Sequence, residues 1–134
     1  MNSALAIIGS VLVGIAALMH VYIFAMESLQ WTKPAIWKRF GLTSQADAET
    51  TKPLAFNQGF YNLFLAIGVG TGLVLLAAGV VEVGLGMIFL AAGSMVAAAL
   101  VLVLSSPKLA RAAAIQGTAP LVGIIFLVLA LVVG

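Results

Sequence analysis

The chain has no cysteine, one histidine and four acidic residues, and only 7% of its 134 residues are charged. The missing thiols exclude disulfides, iron–sulfur ligation and thiol chemistry, and remove a common indicator of compartment. Asp47, Glu49 and Glu82 fall in connecting segments, which leaves His20 and Glu27 as the titratable pair on an apolar run. Two ligands do not make a zinc or di-iron set, and a haem held by His20 would need a second signal that is not present, so no metal and no cofactor are expected. Six Lys and Arg for a net charge of +2 are too few and too scattered for a nucleic-acid footprint, so no nucleic-acid partner is expected. The first apolar run has no basic n-region before it, exceeds an ordinary h-region in length and lacks a small-x-small site, so no cleaved leader is expected. Gly68, Gly70 and Gly72 lie inside an apolar run with no preceding strand and no Lys, which excludes a phosphate loop. No nucleophile elbow is present, and Ser94 reads as a packing residue.

What is there is apolar. Hydrophobic residues make up 63% of the chain and the mean hydropathy is +1.24, values that belong to a lipid solvent. About 20 apolar residues cross the roughly 30 Å hydrocarbon core, and four segments are long enough, approximately 2–27, 53–80, 83–104 and 112–133. Lipid cannot hydrogen-bond a bare backbone, and long runs without period-2 alternation argue for helices over a barrel. The expected fold is an all-α membrane protein, a four-transmembrane-helix bundle forming one integral domain over residues 1–134.

Lys33, Lys38, Arg39 and Lys52 lie in the first connection, 28–52, and Lys108 and Arg111 in the third. The positive-inside rule then places both connections in the cytoplasm and both termini outside the cytoplasmic membrane. Within the first connection, Thr32 and Pro34 can start a short interfacial helix that Gly41 ends. Ile36, Trp37 and Phe40 would face lipid, Lys38 and Arg39 would face phosphates, and Trp31, Trp37, Lys38 and Arg39 would anchor the chain at the interface. A second turn can begin at Thr43 or Ser44 before Pro53 opens the second span. Small residues at Ala6, Ser10 and Gly14, at Gly68 and Gly72, and at Gly93 and Ala97 are expected to pack helix on helix, and they leave homo-oligomerisation open.

Polar residues gather toward the basic end of the spans. His20 and Glu27 are almost two helical turns apart, hence on nearly the same face and about 10 Å from one another. On the second span, Asn57 and Tyr61 share one stripe, Gln58 and Asn62 the adjacent one, and Gly59 permits another helix to come near. Gln116 joins them from the fourth span, where Pro120 frees its carbonyl. Such groups are expensive in a membrane, so they are expected either to bond helix to helix or to line a pocket.

The sequence HVYIFAMESLQW, followed by FGLT and AFNQGFYNLFLAIG, resembles the bacterial and fungal membrane proteins grouped as "domain of unknown function 1304". Their pattern of His-x-Tyr-Ile-x-x-x-Glu, a later Trp, and Asn-Gln-Gly-x-Tyr-Asn is met by His20, Tyr22, Ile23, Glu27, Trp31, Asn57, Gln58, Gly59, Tyr61 and Asn62. The resemblance implies a small four-span protein without assigning a reaction. The expected function is therefore a pocket in the cytoplasmic half of the bundle, lined by His20, Glu27, Asn57, Gln58, Tyr61, Asn62 and Gln116. It would bind a small or lipid-like molecule, with proton transfer as the conceivable chemistry. The alternatives are a proton-coupled exporter acting as a dimer and a non-catalytic interaction subunit.

One outcome follows from charge alone. A reporter that works only outside the cytoplasm is expected to be active when fused to Gly134, and activity of a cytoplasm-only reporter there would reverse the orientation.

Overall fold

The computed structural model describes residues 1–134, which form helices and turns with no strand. The first long helix, α1, spans Ser3–Phe24 and continues as a wider π-helical turn over Ala25–Leu29. Asn2 starts it, its side-chain oxygen accepting from the Leu5 amide at 3.2 Å, which satisfies one of the orphan donors of a helix N-terminus. Then come α2 at Pro34–Trp37, α3 at Gln45–Ala77, α4 at Val81–Ser105 and α5 at Ala110–Val132. A 3-10 turn extends α2 over Lys38–Phe40 and another leads into α5 over Pro107–Leu109. Four helices are long and apolar enough to cross a membrane, those of Ser3–Leu29, Gln45–Ala77, Val81–Ser105 and Pro107–Val132.

The four run alternately up and down, each beside the next in the chain, and α5 closes the ring on α1. The Asn2 amide donates to the Ala130 carbonyl at 2.8 Å, which ties the start of α1 to the end of α5. This topology brings all six Lys and Arg to one end of the bundle and both termini to the other.

Close approach depends on glycine. A Cβ on Gly72 would lie 2.7 Å from the Gly84 carbonyl oxygen, and one on Gly84 would lie 2.7 Å from the Leu76 amide nitrogen, so α3 and α4 meet backbone to backbone there. A Cβ on Gly9 would lie 2.9 Å from the Gly123 oxygen, where α1 meets α5. Between these crossings sits an apolar core that includes Val13, Val69, Ile88, Met95 and Leu127. Gly72 therefore packs as expected, but the Gly93 and Ala97 row does not. A Cβ on Gly93 has nothing within 4 Å and Ala97 is exposed, because α4 turns Gly84, Ile88, Ala91 and Met95 inward instead.

The connection between α1 and α3 corrects three further expectations. Helix α2 forms, with Pro34 in its first turn and Gly41 ending its 3-10 extension at φ 83°, a conformation glycine takes without strain. Lys33, not Thr32, holds the N-cap position, and it does so without a side-chain bond. Ile36 and Trp37 do not face outward: both are buried, Ile36 against Ile23 and Met26 of the first helix, and Trp37 donates to the Gln45 side-chain oxygen at 3.0 Å. An indole sealed against protein with its N–H satisfied serves to dock the connection. Pro53 does not begin a helix either. Ser44 caps α3, its Oγ accepting from the Asp47 amide at 3.1 Å, and the helix runs through Pro53. The missing amide leaves the Glu49 carbonyl without its helical donor, and Glu49 is on the exposed end of α3.

Gly84→Ala is expected to destabilise the bundle by about 1–3 kcal/mol because the added methyl meets backbone that cannot swing away. Gly93→Ala, which adds a methyl to open space, is expected to be neutral or to gain up to about 1 kcal/mol from helix propensity. Thermal unfolding in detergent, followed by circular dichroism, compares the two, and equal melting temperatures would contradict the packing described.

Candidate functional site

Along α1 the inward stripe reads Ala6, Gly9, Val13, Ala16, His20 and Ile23, a helical spacing that carries a histidine where an aliphatic residue would fit. His20 is 2% exposed, and Nδ1 lies 2.8 Å from the Ala16 carbonyl oxygen one turn earlier. A carbonyl only accepts, so Nδ1 carries the hydrogen, and in the neutral ring Nε2 presents its lone pair. Nε2 makes no hydrogen bond.

The next turn is π-helical. Such turns bond i to i+5, widen the helix and recur at functional sites. Glu27 and Ser28 both lie in it and both reach α3. Asn62 donates from its side-chain nitrogen to Glu27 Oε2 at 2.9 Å, and Ser28 Oγ donates to the Phe56 carbonyl at 2.8 Å. Gly59 makes this possible: a Cβ there would collide with Ser28 Oγ and lie 3.1 Å from Glu27 Cβ. Phe24 closes the contact from above, its ring edge-on to Phe60 at 5.1 Å. Glu27 is 8% exposed, so a carboxyl is held inside the bundle with one side-chain donor.

The structure thus joins Glu27 to Asn62 and leaves the other candidates apart. Tyr61 is 63% exposed, and Asn57 and Gln58 are exposed beside it, on the outward side of α3 and without side-chain bonds to His20 or Glu27. Gln58 contributes only its backbone carbonyl, which accepts from Asn62 at 3.1 Å. Gln116 is half-buried on α5 and bonded to none of them. Pro120 lies inside α5, as the freed Gln116 carbonyl requires. Among the anchoring residues, Lys38 stands over the Trp37 ring at 5.5 Å, Trp31 donates to Thr51 Oγ1 at 3.1 Å, and Arg39 donates to the Tyr22 hydroxyl at 3.0 Å. Ser28 and the π-helical turn were not foreseen. Nothing in AMESL signals a π turn, although Gly59 opposite an apolar helix end was a signal that something other than a methyl would sit against it.

A family model described as "Protein of unknown function (DUF1304)" matches residues 14–128. The chain belongs to that family. The match takes in His20, the π-helical turn and the Asn57–Asn62 segment, the stretches on which the sequence resemblance rests. No curated protein and no solved structure matches the chain.

Removing Asn62 strands the Glu27 carboxyl. Asn62→Leu is expected to cost about 1–3 kcal/mol, the penalty for a buried polar group left unsatisfied. Adding Glu27→Leu should recover part of that loss, a coupling of about 0.5–2 kcal/mol in a double-mutant cycle of thermal stability. Additive effects would mean that the two side chains do not act on one another.

Proposed function

We propose that this DUF1304 protein binds a small or lipid-like molecule in the basic-end half of its bundle, with His20 Nε2 as the group that recognises it. One observation carries the reading: the only hydrogen bond of the buried His20 side chain is to a carbonyl of its own helix. That carbonyl already accepts the His20 amide in the α-helical pattern, so the imidazole ties no two helices together and its bond serves to fix the ring. A membrane interior tolerates a polar group poorly unless it has a use, and a ring oriented by one nitrogen with the other left unpartnered is how histidine is set up as an acceptor or base. The occupant would bring a donor, a hydroxyl or a protonated amine, to Nε2. Glu27, fixed by Asn62, supplies a second titratable group two turns away for a proton to reach.

Supporting features lie around it. The six basic residues gathered at one end orient that end toward the cytoplasm, which makes the occupant a molecule of the inner leaflet or the cytosol. With α2 at this end, Lys38 and Arg39 exposed and its apolar side chains tucked under the bundle, the first connection fits at the level of the headgroups.

His20→Leu tests the reading. Because no partner is stranded, the variant is expected to insert and to melt within about 0.5 kcal/mol of the parent. Extraction of both proteins from native membranes, with mass spectrometry of co-purified molecules, should show a species enriched in the parent and lost in the variant. Identical extracts, or a large loss of stability with the species retained, would return His20 to a structural role.

A further inference from the structure

Beyond the His20 site, the outer surface of the bundle carries an apolar groove of about 240 Å³ between α4 and α5. Val96, Leu100 and Val103 form one wall, and Ala110, Ala113 and Leu121 lie on the other. The groove exists because α5 begins with small side chains. At Gly117 the helices touch, since a Cβ there would lie 2.7 Å from Ala99 Cβ, and Ala110, Ala113 and Ala114 then leave space beside that contact. A second groove, between α1 and α5, is lined by Leu12, Ile115 and Val122. The two share Ala114 and Thr118 as their common ridge.

We infer that these paired grooves seat the two acyl chains of an anionic phospholipid whose phosphate is held by Lys108 and Arg111. Length supports it: from Ala110 to Leu121 the α5 wall is about 16 Å long, one half of the roughly 30 Å hydrocarbon core and therefore one leaflet. Shape supports it as well. The two grooves, of about 240 and 500 Å³, are open channels and not enclosed cavities, and a pair of them either side of a ridge of Ala114 and Thr118 fits two chains better than one helix about 10 Å across. The lining asks for nothing polar, because Thr118 Oγ1 donates to the Ala114 carbonyl at 2.7 Å and is satisfied. Charge selects the head. Lys108 and Arg111 stand exposed at the basic end of the grooves and neither side chain makes a hydrogen bond. The one acid on α4, Glu82, is in the first turn at the opposite end, and α5 has none. Basic residues between helices at a cytoplasmic face attract anionic headgroups in this way.

Delipidated full-length protein, titrated with phosphatidylglycerol or with phosphatidylcholine of the same chains and read by native mass spectrometry, tests the assignment. Phosphatidylglycerol is expected to bind about 30-fold more tightly, the ratio that two basic residues supply. Lys108→Gln with Arg111→Gln should abolish the preference while leaving weak binding of both lipids. Ala114→Trp, at an exposed position on the shared ridge, should weaken both lipids together, and Ala110→Leu provides a second way to fill the groove should that variant misfold. A parent protein indifferent to headgroup would overturn the assignment, as would groove-filled variants that bind as the parent does. So would a dimer that excludes lipid and that Ala114→Trp dissociates, since the grooves would then belong to a second copy of the chain.

Discussion

A lipid solvent offers neither hydrogen bonds to the backbone nor a hydrophobic pull between helices, and the architecture follows from that pair of absences. Each long segment closes its own amides in a helix, and the helices are held by contact, not by escape from water. Contact between backbones requires the absence of side chains, so Gly72 with Gly84 and Gly9 with Gly123 mark the crossings where a methyl group would force the helices apart. The aliphatic core at Val13, Val69, Ile88, Met95 and Leu127 fills what those crossings enclose. Its role is dispersion and shape, because in lipid a leucine gains little from being inside.

Polar contacts obey the same constraint and gather at the basic end of the bundle. Glu27 with Asn62, Ser28 with the Phe56 carbonyl, Trp31 with Thr51 and Trp37 with Gln45 form a succession of bonds from the end of α1 and its connection to the first half of α3. Gln45 alone takes the Trp37 indole on its oxygen and gives its nitrogen to the Thr32 carbonyl and to Glu49. This succession explains why α3 starts at Gln45, well before the apolar run. The extra turns give the connection something rigid to bond to, and the Ser44 cap begins them.

Much of this was legible in the residues. Four apolar runs without alternation leave few folds open, the paired motifs around His20 and Asn57–Asn62 identify the family, and Ser44 with Asp47 has the chemistry of a cap. What failed depends mostly on how a helix is rotated about its axis. Gly93 and Ala97 have the same spacing as Gly68 and Gly72, but only the neighbours of α4 decide which side of it turns inward. Asn57, Gln58, Tyr61 and Asn62 lie on two adjacent stripes, and the neighbours of α3 decide which edge of that arc meets the bundle; Asn62 does, and the others are exposed. Ile36 and Trp37 read equally well as lipid anchors or as plugs, since burial in protein and burial in lipid draw the same side chains. The π-helical turn was invisible because no residue type demands it.

Rotation also sets what the polar end can serve. His20 and Glu27 are the only polar residues buried in the bundle, and beyond His20 the interior passes directly into the apolar core around Val13, Ile88 and Met95. A proton or ion crossing from end to end would need polar groups to carry it through that core, and the inward stripe of α1 above His20 offers only Ala16, Val13, Gly9 and Ala6. At its far end the ring of helices is tied by the Asn2 amide on the Ala130 carbonyl. Nor does any bond of the imidazole restrain a neighbouring helix, which sets it apart from Glu27, whose carboxyl ties α1 to α3. The two titratable groups thus differ in what they bond although one helix face carries both: the Glu27 carboxyl ties α1 to α3, and the His20 ring is fixed only to its own helix.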